Sequence, residues 1–220
     1  MEERRERPRN ARALYARAAS LYPHDDKILV GCAKLCDVLD DPEAARHYFG
    51  CAIRLPRPAA YAYQSYAWFE AQQGEFDRAR ELYATGAALN VPGEHLVPLL
   101  HSWAVVEWKQ RQLAEARRLF VEAEGCTPRS CAWLYVWRAR FEHAAAVHLR
   151  ESAPRGKRRV STAADDSAPQ SELRRALLLA RHYYARAVTA APVDPSGWRL
   201  WAELERDMGD GRLADALHTR

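Results

Sequence analysis

Ala79-Arg80-Glu81-Leu82-Tyr83 is one of five occurrences of a pattern, Ala-Arg-x-(Leu/Tyr)-(Tyr/Phe), in this chain. The others are Ala11-Arg12-Ala13-Leu14-Tyr15, Ala45-Arg46-His47-Tyr48-Phe49, Ala116-Arg117-Arg118-Leu119-Phe120 and Ala180-Arg181-His182-Tyr183-Tyr184. The steps are 34, 34, 37 and 64 residues, the last being one period plus about 30. Ala214 follows Ala180 by a further 34 without the Arg. A second marker lies 12 residues before most of these, at Ala33, Ala67, Ala104 and Ala202. Cys32, Tyr66, Trp103 and Trp201 precede it, and Trp137 is assigned the same slot in the interrupted unit. Between the markers stand helix breakers, Asp40-Asp41-Pro42, Gln73-Gly74-Glu75 and Met208-Gly209-Asp210. Pro23, Pro56, Pro92, Pro128 and Pro192 close the units, since proline lacks the amide donor and clashes with the preceding turn.

Each unit therefore reads as helix, short turn, helix, longer turn. Within the helices apolar residues recur at three and four, as at Leu14, Ala18 and Leu21. Small residues at fixed places let two helices approach, and Tyr, Phe and Trp fill what remains. A hairpin of this kind cannot bury its face alone and must stack on its neighbours. The expected fold is all-α, a right-handed α-solenoid of about 34-residue hairpins spanning 1–220 as one array. It comprises a half repeat at 10–23, repeats at 26–56, 59–92, 96–128 and 131–192, and a partial repeat at 195–220. A disordered insertion is expected over 150–171. Its Arg155, Lys157, Arg158 and Arg159 suit phosphates or a nuclear address, and Arg158-Arg159-Val160-Ser161 resembles a basophilic kinase site.

Composition agrees with a packed protein. Of 220 residues, 48% are hydrophobic and 28% charged, with seven Trp, ten Tyr and a formal net charge of +4. No apolar run approaches the roughly 20 residues of a membrane helix. Five Cys, an odd number without disulfide spacing, point to a reducing compartment. The opening Met1–Arg7 has three acids and no apolar core, so it reads as neither a secretory signal nor a transit peptide. The array opens on a second helix and closes before a complete one, so the chain is expected to be a window of a longer array or to complete its ends with a partner.

Trp198, Trp201, Ala202, Gly209 and Ala214, with Ala116, Phe120, Ala123 and Pro128, resemble the tetratricopeptide repeat. Glu70, Glu107 and Glu205, three residues after the first-helix Ala, and the arginines after the second-helix Ala resemble its HAT (half-a-tetratricopeptide) variant. The run His101–Lys109 followed by Ala114–Phe120 looks most like chloroplast factors that mature and stabilise photosystem II messenger RNAs. The resemblance implies a non-catalytic RNA-processing factor in chloroplast or nucleus. Its partners would be single-stranded RNA or proteins of an RNA-processing complex, with no membrane and no small-molecule substrate. The other reading is a generic tetratricopeptide adaptor between proteins.

First helices line the concave side of such a solenoid. One face of each yields the candidate contacts Lys27 and Lys34, then Tyr61, Gln64 and Trp68, then His101, Trp108 and Lys109, then Tyr135, then Arg199 and Arg206. Bases stack on aromatics and phosphates meet cations in such a groove. The repeat-defining residues are Ala45, Arg46, Ala79, Arg80, Ala116, Arg117, Ala180, Arg181, Trp103 and Trp201. Glu70 with Arg80, and Glu107 with Arg117, are ten apart across the turn within a hairpin and are expected to pair there. Neither Cys32-x-x-x-Cys36 nor the pair Cys126 and Cys131 has zinc spacing, and no phosphate loop or nucleophile motif occurs. No metal, cofactor or catalytic group is expected.

Overall fold

The computed structural model of the chain describes residues 13–127, 131–152 and 168–218. These are helices joined by turns, with no strand among them. Residues 13–21 form α1. Then come α2 (Asp26–Val38), α3 (Pro42–Ile53), α4 (Ala60–Gln72), α5 (Phe76–Ala87), α6 (Gly93–Lys109) and α7 (Leu113–Gly125). They are followed by α8 (Ala132–Ser152), α9 (Ala168–Ala190), α10 (Pro195–Met208) and α11 (Gly211–His218). The contacts group the chain into two compact units, Met1–Cys126 and Thr127–Arg220. The first holds the hairpins α2/α3, α4/α5 and α6/α7, and the second holds α8/α9 and α10/α11. Of the insertion expected over 150–171, residues 150–152 belong to α8 and 168–171 to α9, and 153–167 lie outside the described residues. The basic cluster Arg155, Lys157, Arg158 and Arg159 and the kinase-like Ser161 lie outside the described residues.

Local chemistry sets the helix starts. Asp25, Asp41 and Asp194 each turn a carboxylate oxygen back to accept a first-turn amide, from Lys27, Ala44 and Ser196 respectively. Pro42 and Pro195 occupy the first turn, where proline sacrifices no helix bond. The turns inside the hairpins α2/α3, α4/α5, α6/α7 and α10/α11 are the same device four times. Asp40, Gly74, Arg111 and Gly209 have φ of 59°, 88°, 63° and 93°. The next amide then donates back five residues, from Asp41 to Cys36, Glu75 to Glu70, Gln112 to Glu107 and Asp210 to Glu205, at 2.8–2.9 Å. This is the Schellman closure, which satisfies a carbonyl at the helix end.

The hairpins close on small residues. Ala33, Ala67, Ala104, Ala139 and Ala202 of the first helices are fully buried, as are Ala45, Ala79, Ala116 and Ala180 of the second. Gly86 goes further, since a Cβ there would stand 2.6 Å from Leu99 and 2.7 Å from Tyr63. Four residues after each second-helix Ala lies a buried ring, Phe49, Tyr83, Phe120 or Tyr184. Phe49 stacks on Tyr66 of the next hairpin with centroids 5.2 Å apart, and Tyr83 stacks on Trp103 at 5.8 Å. Such stacks contribute about 0.5–1.5 kcal/mol each beyond the area they bury.

The recurrent Glu and Arg pair, but not within a hairpin. Arg46 reaches Glu70, Arg80 reaches Glu107 and Arg181 reaches Glu205, so the guanidinium comes from the preceding hairpin. The expected pairs Glu70–Arg80 and Glu107–Arg117 are corrected accordingly. The reason is geometric, because the turn aims the second-helix Arg at the neighbour that stacks next. Each pair is two-pronged, with Arg80 Nε and Nη2 standing 2.8 Å and 3.0 Å from the two oxygens of Glu107. Trp103 and Trp201 donate their indole N–H to the same carboxylates, at 3.1 Å to Glu107 and 3.0 Å to Glu205. Tyr66 stands in that slot in the α4 hairpin, and there Arg78 adds a contact to Glu70 at 3.2 Å.

The register of the fourth hairpin also needs correction. Ala139 stands three before the buried Glu142, as Ala67 stands three before Glu70, so the aromatic slot falls on Arg138 and not on Trp137. Arg138 is buried, lies 3.8 Å from Glu142 and sits over the Tyr183 ring at 4.8 Å.

Two glycines respond oppositely to an added methyl group. Gly74 has open space where a methyl group would stand, so Gly74→Ala is opposed by its positive φ alone and loses about 1–2 kcal/mol in urea unfolding. Gly50, inside α3, would meet only the end of Arg54, so Gly50→Ala gains about 0.5–1 kcal/mol in the same measurement.

Candidate functional site

The first helices α2, α4 and α6 neighbour one another in the first unit, and α8 neighbours α10 in the second. The residue after each first-helix Ala is Lys34, Trp68, Val105, Arg140 and Glu203, of which Val105 is buried, Trp68 half-buried and the rest exposed. Of the residues predicted from sequence, Lys27, Lys34, Lys109, Arg199 and Arg206 are exposed, and Tyr61, Gln64, Trp68 and Trp108 are half-buried.

Two contacts join α4 to α6 through predicted residues. Gln64 donates its side-chain amide to Ser102 Oγ at 2.8 Å. Lys109 Nζ lies 4.9 Å from the centre of the Trp68 ring, within cation–π range. Beside this pair is a cleft of about 130 Å³, lined by Trp68, Gln72, Phe76, Val106, Lys109 and Gln110 among others. Among the described residues, no acidic side chain lines it. Tyr61 faces α2, where burial first and the Asp26 carboxylate second push its hydroxyl pKa well up, so it stays protonated.

Two predicted contacts are packing residues instead. Tyr135 is buried in the second unit's core, its hydroxyl accepting from Arg186 at 2.6 Å while that guanidinium lies over its ring. Placing Trp137 in the slot displaces the whole face of α8 by one position, and that displacement is what brings Tyr135 into the predicted set. With Ala139 as marker, the equivalent positions are Val136, Arg140 and His143. Arg140 is exposed and lies 4.6 Å over the half-buried Trp137, a further cation–aromatic pair on a first helix. His143 pairs with Asp207 of α10 at 3.1 Å, and Arg150 donates to the backbone carbonyl of Asp207. The spacing Ala139 to Glu142 is the signal that locates Arg140. His101 is the other correction. Its ring meets Phe120 edge-on at 6.1 Å, and burial lowers its pKa to about 4, leaving it neutral near pH 7. It cannot supply a cation to a phosphate.

Cys32 and Cys36 are buried on α2, and burial raises the Cys32 thiol. Among the described residues, no group of three His, Cys, Asp or Glu is placed to hold a metal ion, and no helix is long and apolar enough to cross a membrane.

No protein-family model matches the chain, and no curated protein matches it by sequence. Solved structures do match in fold. A monomeric mutant of IFIT1 solved with m7Gppp-AAAA superposes with a TM-score of 0.66 at 16% identity, covering 96% of this chain and 45% of that one. The type IV pilus biogenesis factor PilW gives a TM-score of 0.66 at 15% identity, covering 98% of this chain and 84% of its own. PilF of Pseudomonas aeruginosa gives 0.63 at 14%, covering 97% and 82%. This chain thus spans less than half the length of the IFIT1 chain it matches. At these identities the likeness establishes the fold, a tetratricopeptide-like α-solenoid of helical hairpins.

The depressed His101 pKa makes stability depend on pH. The folded state holds this ring neutral down to about pH 4, whereas the unfolded chain takes up the proton near the ordinary value of about 6.5. Its contribution is complete above about pH 6.5 and is lost as pH falls towards 4, by a loss on the order of 2–3 kcal/mol. Urea unfolding of His101→Phe should therefore lose markedly less stability than wild type between about pH 7 and pH 5. Equal losses would mean that His101 is solvated.

Proposed function

We propose that this chain is a non-catalytic helical-repeat module that binds single-stranded RNA along its first helices, as an RNA-processing factor. The observation that carries this reading is the cation held against a half-buried tryptophan on first helices of both units, Lys109 on Trp68 and Arg140 on Trp137. A base needs an aromatic face and its phosphate needs a cation close by, and these pairs offer both. The exposed Lys34, Arg199 and Arg206 add positive charge on the first helices, while Glu203 and Asp207 oppose it on α10. A structure of this fold solved with m7Gppp-AAAA supports the view that such hairpins can hold RNA. The resemblance of His101–Phe120 to chloroplast messenger-RNA factors supports an organellar maturation or stabilisation role, with the nucleus as the other compartment.

The second reading is an adaptor for a protein partner, favoured by the same face because apolar Trp68 and Trp108 suit a side chain as well as a base. Fluorescence anisotropy with a short labelled oligoribonucleotide separates the two. RNA binding predicts a log affinity that falls linearly with log salt, with a slope shallower by about 1 in Lys109→Ala and again in Arg140→Ala. No binding at low salt, with a partner protein bound instead, would establish the adaptor.

A further inference from the structure

We propose that the cleft beside Trp68 and Lys109 seats one unstacked nucleobase of a single-stranded RNA, an assignment that rests on the RNA reading above. The walls and the mouth of this cleft differ in chemistry in the way the faces and edge of a base differ. Phe76 and Val106 supply apolar surface next to the Trp68 ring, which suits the flat faces of a heterocycle. Gln72, exposed, and Gln110, half-buried, bring two carboxamides to the same cleft. Each carboxamide offers both donors and an acceptor, the complement of a base's hydrogen-bonding edge. The Lys109 ammonium, 4.9 Å from the ring centre, supplies the charge for the adjoining phosphate. Among the described residues, no carboxylate lines the cleft to repel that phosphate.

These groups come together for a structural reason. Gln72 and Lys109 lie at the last residues of α4 and α6, Gln110 caps α6, and Phe76 opens α5. The left-handed turn at Gly74 brings Phe76 back towards the end of α4. An aliphatic side chain of a peptide would satisfy Phe76, Val106 and Trp68 but leave the carboxamides and the ammonium unused. The cleft therefore favours a base over an aliphatic side chain.

The test compares two labelled oligomers of equal length and charge, an oligoribonucleotide and its abasic counterpart, at constant salt. Equal phosphate numbers cancel the electrostatic part of binding, so the affinity ratio reads the bases alone. Wild type should prefer the oligoribonucleotide, and Trp68→Leu, which keeps apolar bulk but removes the stacking surface, should cut that preference at least about fivefold with the salt slope unchanged. The double variant Gln72→Ala with Gln110→Ala, which keeps Trp68, Phe76 and Val106, should alter the ranking among oligomers of the four bases. If RNA binds but neither variant changes the preference or the ranking, the base seat is wrong and the RNA reading stands. If wild type binds neither oligomer, both fail.

Discussion

A carboxylate sealed inside an α-helical stack governs how these hairpins meet. Glu70, Glu107 and Glu205 are 0–2% exposed, and a charge so placed is costly unless its oxygens are fully engaged. The engagement comes from two directions. The arginine of the preceding hairpin closes on both oxygens, and an indole N–H four residues earlier, or Arg78 in the Tyr66 variant, adds a further contact. Only one axial position of one hairpin against the next satisfies the fork geometry of guanidinium and carboxylate. The pair thus acts as a registration pin, whether or not it adds net stability.

The same residue also ends its helix. The carbonyl of Glu70, Glu107 or Glu205 accepts the amide that follows the left-handed turn residue. Side chain and main chain of one residue therefore set both the junction to the previous hairpin and the turn to the next helix. In the first repeat Cys36 holds this place, and its carbonyl closes the turn at Asp41 while its side chain carries no carboxylate for an ion pair. Once the register is set, the position after the first-helix Ala stays open in four of the five hairpins, exposed at Lys34, Arg140 and Glu203 and half-buried at Trp68, while Val105 is buried. Lys34, Trp68 and Arg140 owe their accessibility to that geometry, and the cation–aromatic pairs follow from it.

The repeat, the hairpins and the buried alanines were legible in the sequence because 34-residue recurrence of small and large residues is a direct consequence of stacking. The partners of the glutamates were not. The ten-residue separation of Glu107 and Arg117 suggested a contact across the turn, whereas the true partner, Arg80, lies 27 residues earlier in the neighbouring hairpin. Sequence distance does not reveal which repeat supplies the other half of a pair. The face of α8 was misread by one residue because Trp137 outweighed the quieter spacing of Ala139 and Glu142, and one residue turns a helix by about 100°. That error put the buried Tyr135 in the site and left Arg140 out. His101 falls on the expected face by register, yet it packs edge-on against Phe120 and burial keeps it neutral. The cleft at Trp68 escaped notice because it is assembled from the ends of three helices, where periodicity carries least information.

A double-mutant cycle on Arg80 and Glu107 tests the registration pin most directly. Arg80→Leu strands a buried carboxylate and should lose about 3 kcal/mol or more in urea unfolding, while the double variant Arg80→Leu with Glu107→Leu should recover much of that loss, a coupling of at least about 2 kcal/mol. Additive losses, with the two changes summing in the double variant, would contradict the account and reduce the pair to a surface contact.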